Sequence, residues 1–442
     1  MANTDESKLE RIRAASHALL PECIAFLQDL VQIDTTNPPG LNYRRIATVI
    51  KDKLDQLGYD ETELLEVAQS DLPTLAPHFD GHERVNVLGR LKSKSASPIT
   101  AAGKNREQVL HFNGHTDVVP IGSRDTWTHD PFGAEIEDGV IYGRGVSDMK
   151  GGLAAQIYAV EAVRRAGLTL RGTVEQSGVV DEETTGVRNA GAGWLIEQGY
   201  CSADKTDAVI ITEPLNVDNL CCGHRGTLWG TITFHGIGAH GAIPQRGVNA
   251  VEHAALFVTR CKERFAPLLQ GRRDERVIPE EARGSSMTFT TFHGGTNPNS
   301  VADRCALSFD RRLVPGETLD GARGAIHALL AELASTVPNF AYEYAETYQT
   351  EPVWVDPDQP FCRTMRRAIA RAAGAADAGV VCSPGSDDQR FFVRAGIGRT
   401  VVYGPGNIRN VHNRDEALLL EDLRQSVEAM AIAACEFLGV DD

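Results

Sequence analysis

Apolar residues recur at helical spacing between residues 17 and 33, at Leu19, Leu20, Ile24, Leu27, Leu30 and Val31. The run ends at Thr36-Asn37-Pro38-Pro39-Gly40, a cluster that breaks a helix. The spacing predicts a second amphipathic helix over about 42–57. Val85–Leu91 and Val109–Asn113 are short apolar runs and read as strands, joined by the polar and mobile loop KSKSASPITAAGKNREQ. Strand and helix signals then alternate: a helix near 151–166, a strand near 171–179, a helix near 188–198 and a strand near 207–212. This is the pattern of a layered α/β domain with a mostly parallel sheet.

The rhythm changes after Cys222. Thr227–His235, Ser286–His293, Asp303–Leu313 and Phe340–Tyr348 read as strands, and Val248–Phe265 and Leu319–Thr336 as helices. Their order is βαββαβ, a ferredoxin-like sandwich. A helix over 361–373, a short strand Arg399–Tyr403 and a last helix from about Leu420 could rejoin the first sheet. The fold expected is therefore α/β, one small domain inserted within a larger one.

Composition narrows the setting. The 442 residues exceed what one small core needs, which supports two domains. No run approaches the ~18 apolar residues of a membrane span, and MANTDESKLERIRAASH lacks the apolar core of a secretory signal. The nine cysteines form no C-x-x-C pair, so the reading is a reducing cytoplasm with buried free thiols. A net charge of −16 repels nucleic acid phosphates, so neither DNA nor RNA is expected as a partner, and without an apolar span neither is a membrane.

Candidate chemistry lies where strands end. His115 follows Val109–Asn113, and Asp117, two residues on, shares its face in an extended chain and could orient its imidazole. Asp148 lies among glycines in GRGVSDMKGG; it could equally be a helix N-cap. Glu182 and Glu183 in DEET follow a strand, where two adjacent buried carboxylates would need a cation. Glu213 in TEP and His412 in NVHNRDE follow two further strands. Ligands collect at the carboxyl ends of parallel strands. Two divalent ions, three carboxylates and one bridging hydroxide are together neutral. Mixed imidazole and carboxylate donors suit zinc, and also manganese or cobalt. His224 and Arg225 read as hinge residues, and His111 as a hydrogen-bonded core histidine.

The segments GHTDVVP, GRGVSDMKGG, DEET, TEP, HRGTLWGTITFHGIGAHGAIPQRGVNA and GPGNIRNVHNRDE resemble the zinc aminoacylase family, whose members include acetylornithine deacetylase, succinyl-diaminopimelate desuccinylase and bacterial glutamate carboxypeptidase. The resemblance covers nearly the whole chain. It implies a zinc-exopeptidase-like catalytic domain over 1–224 and 346–442, with an inserted lid over 225–345 through which the chain forms a homodimer. It further implies that His115 and Glu213 hold one metal, that Glu183 and His412 hold the other, and that Asp148 bridges both. Glu182 would then be the general base, with Asp117 in support. His240 in GAHGAIP would donate to the oxyanion in a partner's site, and Asn299 and Arg312 would contact substrate. Arg312 could also pair structurally with Asp310 or Glu317. The resemblance implies a cis peptide between Asp148 and Met149.

The segment SPGSDDQRFFVRAG looks most like the deacetylase and desuccinylase branch and places Gly385 and Ser386 at the substrate. Relatives commonly have Ser-Ser or Ser-Thr after the lid histidine, where Gly241-Ala242 stand, a proline where Ala302 stands, and Thr-Ser or Thr-Tyr where Ser386-Asp387 stand. These departures bear on the substrate and spare the candidate ligands. The function expected is hydrolysis of a C–N bond in a small N-acyl amino acid by metal-activated water. The alternatives are a peptidase with the same site, hydrolytic deamination of an activated aromatic amine, and a binding module that kept the fold.

Overall fold

The computed structural model describes residues 5–76, 81–183 and 188–442, and the chain divides into two compact units. One comprises Met1–Gly223, Val355–Val381 and Asp387–Asp442; the other comprises His224–Trp354 with Cys382–Ser386.

The first unit is a layered α/β structure. Its sheet runs in the order Glu61–Glu66, Val85–Leu91, Thr173–Val179, Val109–His115, Ala208–Ile211, Thr400–Val402 and Asn219–His224. Thr173–Val179, Val109–His115, Ala208–Ile211 and Thr400–Val402 are mutually parallel, and antiparallel strands flank them. The helix expected from residue 17 starts at Glu6, because Leu9, Ile12 and Ala15 extend its buried stripe. The Asp5 side chain caps it by accepting the Lys8 N–H at 3.0 Å. The helix Lys150–Arg165 is buried at every residue from Lys150 to Val163, packed against Glu6–Val31 and Leu420–Leu438. Such all-round burial matches the run LAAQIYAVEAV, which has few charges. The strand Glu61–Glu66 escaped the pattern because ETELLE is largely charged; cross-strand pairs such as Glu61 with Arg90 offset that.

The second unit is an antiparallel sheet in the order Ser286–Gly294, Arg304–Leu313, Gly226–His235 and Ala341–Thr350. The helices Ala250–Gln270 and Leu319–Thr336 pack against it. Leu228, Ile232, Phe234, Phe257, Leu307, Phe309, Ile326 and Leu330 fill the space between. This unit ends at Trp354 rather than at 345, since Ala341–Thr350 pairs along its length with Gly226–His235. It also takes in Cys382–Ser386, which lies outside the expected 225–345 span.

Candidate metal centre

Parallel register brings four elements of the first unit to one edge. His115 closes its strand opposite Val179, and Asn113 stands opposite Ile211. The segments after those neighbouring strands carry Glu182, Glu183 and Glu213, and the loop after Thr400–Val402 carries His412. Asp148 comes just before the helix Lys150–Arg165, through a cis bond to Met149. That helix sits tight against the strand end. A Cβ on Gly152 would lie 2.0 Å from the backbone oxygen of Thr212, so only glycine permits the approach.

The donor atoms fall into two sets that share Asp148. His115 Nε2 is 3.1 Å from Asp148 Oδ1 and 3.3 Å from Glu213 Oε1. His412 Nε2 is 3.2 Å from Asp148 Oδ2 and 3.1 Å from Glu183 Oε2. Bonds of about 2.0–2.2 Å to a tetrahedral ion place neighbouring donors about 3.3–3.6 Å apart, close to these separations, so the residues present fit a metal at each set. Glu182 shares the space: it lies within 4.8 Å of His115 and Glu213 donor atoms, as Glu183 does with His115 and Asp148.

The electrostatics also call for cations. Burial, with Asp148 next, pushes the Glu213 and Glu183 carboxyls up; burial and then Glu213 do the same for Glu182. Burial resists ionisation of Asp148 too, but hydrogen bonds from His115 and His412 outweigh it and hold its pKa well below the usual range. A protein leaves so many buried carboxylates together at a cost that divalent ions relieve.

Supporting contacts differ in part from expectation. His115 Nδ1 donates to the backbone oxygen of Asp117 at 2.9 Å, whereas the Asp117 carboxylate lies 3.7 Å away. Asp117 therefore orients the imidazole with its carbonyl. Its carboxylate serves the neighbouring turn, accepting the N–H groups of Glu182 at 3.3 Å and Glu183 at 3.1 Å and the Asn37 amide at 2.9 Å. Asp181, at φ +60°, starts that turn and accepts from Arg84, Tyr43 and Asn37. Glu416 holds the Asp148 loop: it accepts the N–H groups of Gly145, Ser147 and Asp148 and pairs with Arg144. Arg390 Nη1 lies 3.8 Å from Glu182 Oε1. Sequence reading missed Glu416, Arg84 and Arg390. Glu416 and Arg390 at least lay within recognisable segments; Arg84, just before the strand Val85–Leu91, gave no signal.

The remaining predicted residues belong to the second unit. His240 is exposed on the short strand Ala239–His240, which pairs with Ser300–Val301; the next residue, Gly241, donates its N–H to the Asn299 oxygen at 2.7 Å. The structure thus brings His240 and Asn299 together. Arg312 Nε bonds both oxygens of Asp310, at 2.8 and 3.1 Å, and its guanidinium lies 5.7 Å from the centre of the Trp229 ring. Glu317 pairs instead with the buried Arg311. Ser386 Oγ is 2.8 Å from the Tyr348 hydroxyl, and open space surrounds Gly385.

An α/β unit that gathers carboxylates and imidazoles at its strand ends offers a site for divalent ions, as metal-dependent enzymes do. Residues 111–436 match Peptidase family M20/M25/M40, and the chain belongs to that family. It is 32% identical over 326 residues to a succinyl-diaminopimelate desuccinylase of Xanthomonas oryzae pv. oryzae, covering 72% of this chain and 80% of the relative. It is 25% identical over 437 residues to a probable succinyl-diaminopimelate desuccinylase of Staphylococcus aureus, covering 94% of this chain and 98% of the relative. An M20 family metallo-carboxypeptidase from Sulfolobus solfataricus shares the fold with a TM-score of 0.70 at 17% identity, over 93% of this chain and 98% of that one. A di-peptidase of Saccharomyces cerevisiae does so at 0.70 and 17%, over 97% and 98%. Among the described residues no helix is long and apolar enough to cross a membrane.

Proposed function

We propose that the chain is a dinuclear metal-dependent hydrolase that cleaves the amide bond of a small N-acyl amino acid. The observation that carries this is Asp148, whose two oxygens face two different histidines, each with a further carboxylate beside it. His115 and Glu213 would hold one ion, His412 and Glu183 the other, and Asp148 would bridge them. Zinc suits this donor set best. Bound there, the ions would polarise the scissile carbonyl and lower the pKa of the attacking water toward ~7.

Glu182 is the carboxylate left over once both sets are complete. It takes the proton of the attacking water and passes it to the leaving amine, which departs neutral. Its turn is fixed by the two N–H bonds to Asp117, so its carboxylate keeps its aim as its charge changes. Arg390 counters its negative charge from 3.8 Å. In the second unit His240, Asn299, Arg312, Gly385 and Ser386 are assigned to the oxyanion and substrate, and that unit to dimerisation. The desuccinylase names among the relatives favour an N-succinyl or similar acyl group over a peptide.

The test is metal content by mass spectrometry, with turnover of the loaded protein on N-succinyl-L,L-diaminopimelate, N-acetyl amino acids, dipeptides and activated aromatic amines. Two equivalents of metal and preference for an N-acyl amino acid are expected. Preference for dipeptides, or for aromatic amines, would replace the substrate assignment. One equivalent would remove the bridging role of Asp148. Full turnover by His240→Ala would remove the oxyanion role.

A further inference from the structure

The sheet face that carries His115 is polar well beyond the metal centre. His111 and Asn113 alternate with His115 along their strand, and Glu175 and Ser177 stand beside them in register on Thr173–Val179. All four are buried. Central parallel strands ordinarily carry Val, Ile or Leu at such positions. Buried polar groups of this kind must satisfy one another, so the donor of each bond can be traced.

The trace begins at Asp388, whose carboxylate accepts from Asn113 Nδ2 at 3.1 Å and Asn189 Nδ2 at 3.3 Å. Asn113 therefore turns its oxygen toward Ser177, 2.8 Å away, and the Ser177 hydroxyl donates to it. The other partner within reach of that hydroxyl proton, the Phe112 carbonyl at 3.3 Å, is also an acceptor. With its proton used either way, Ser177 Oγ accepts from His111 Nε2 at 2.8 Å. His111 Nδ1 faces Glu175 Oε2 at 3.1 Å, with Cys201 Sγ at 3.7 Å. The other Glu175 oxygen is held by Arg90 at 2.8 Å, so the carboxylate is ionised and only accepts. Nδ1 therefore carries a proton as well.

We propose that His111 is an imidazolium at neutral pH that directs a buried hydrogen-bond chain through Ser177 and Asn113 to Asp388, and is thereby a positioning residue for Glu182. Asp388 immediately precedes the helix Gln389–Arg394, which carries Arg390 to 3.8 Å from the Glu182 carboxylate. The positioning role rests on the reading of Glu182 given above; the charge and the chain do not. The groups facing His111 are Glu175, Cys201, Ser177 and the Phe392 ring, 5.8 Å between centres. Burial alone would lower its pKa, but Cys201 and Glu175 outweigh burial and push it up to about 10.

The test uses the full-length, metal-loaded protein labelled with 15N-histidine, the His111 signals being assigned by their loss in His111→Gln. Both ring nitrogens should remain protonated at pH 8.5. A neutral ring there would overturn the charge assignment. Hydrogen exchange supplies a second readout: Ser177→Ala should keep the imidazolium signal yet speed exchange in residues 388–394, as should His111→Leu. Unchanged exchange in that segment, or faster exchange spread evenly over the chain, would overturn the chain's role. On the best-cleaved panel compound, both variants should lose about 10- to 100-fold in kcat with KM little changed. Unchanged kcat would overturn the positioning role. If the wild type cleaves no panel compound, the hydrolase reading and the positioning role fail together, while the spectra and exchange still decide the charge and the chain.

Discussion

Replacing Glu416 by alanine should unmake the metal centre without touching a proposed ligand. Its Oε2 accepts from Arg144 Nη1 at 2.7 Å and from the Gly145 N–H at 3.1 Å. Its Oε1 accepts the N–H groups of Ser147 and Asp148, both at 2.9 Å. The Glu416 side chain is 0% exposed and that of Arg144 2%, so water screens little of this. Stranding one partner of a buried ion pair costs about 3–5 kcal/mol. Each orphaned buried amide adds about 1–3 kcal/mol. These terms are not additive within one network, and water entering the vacated space recovers part of them. A net loss of about 4 kcal/mol or more is expected. Glu416→Gln keeps the shape but turns an amide nitrogen toward donors, and should lose about half as much. Urea unfolding followed by tryptophan fluorescence reads the stability; mass spectrometry after dialysis reads the metal. The alanine variant should unfold at clearly lower urea and retain less than one equivalent, because the Asp148 backbone has lost its anchor. A wild-type midpoint with two equivalents of metal would refute the reasoning.

Glu182→Gln should keep both metals and lose about 100- to 10,000-fold in turnover, the usual range for a lost general acid–base, whereas Glu183→Ala should lose one metal; metal loss from the former with full loading of the latter would reverse the two roles. Gly152→Ala places a Cβ 2.0 Å from the Thr212 oxygen, and overpacking of about 1–3 kcal/mol should exceed the ~1 kcal/mol gain in helix propensity; an unchanged thermal midpoint would show that the helix yields freely. His111 is raised from 6.5 to about 10, so its stabilisation is complete below pH 6.5 and lost as pH rises toward 10. Unfolding midpoints measured over that window should therefore fall more steeply for the wild type than for His111→Leu, and parallel curves would contradict the shift.

What the sequence determined by itself was whatever repeats over a few residues or lies within one short segment. The apolar spacing in Val248–Phe265 and Leu319–Thr336, and the alternation in Thr227–His235, placed the second unit's elements because one buried face dictates a local period. The candidate ligands were legible for a related reason: a carboxylate or imidazole just past a parallel strand arrives at a shared edge whatever the loops do. Charged strands such as Glu61–Glu66 stayed hidden because their apolar period is too weak, and only cross-strand partners make them strands. Tertiary structure alone decided which group serves which. Glu416 reaches the Asp148 N–H from 268 residues away, and Asn113 reaches Asp388 across 275. It also decided that Asp117 holds His115 by its carbonyl and spends its carboxylate on the Glu182–Glu183 turn. Periodicity reports which side of an element is buried. It carries no record of the partner, and for buried charges the partner sets the protonation state, the cost and the role.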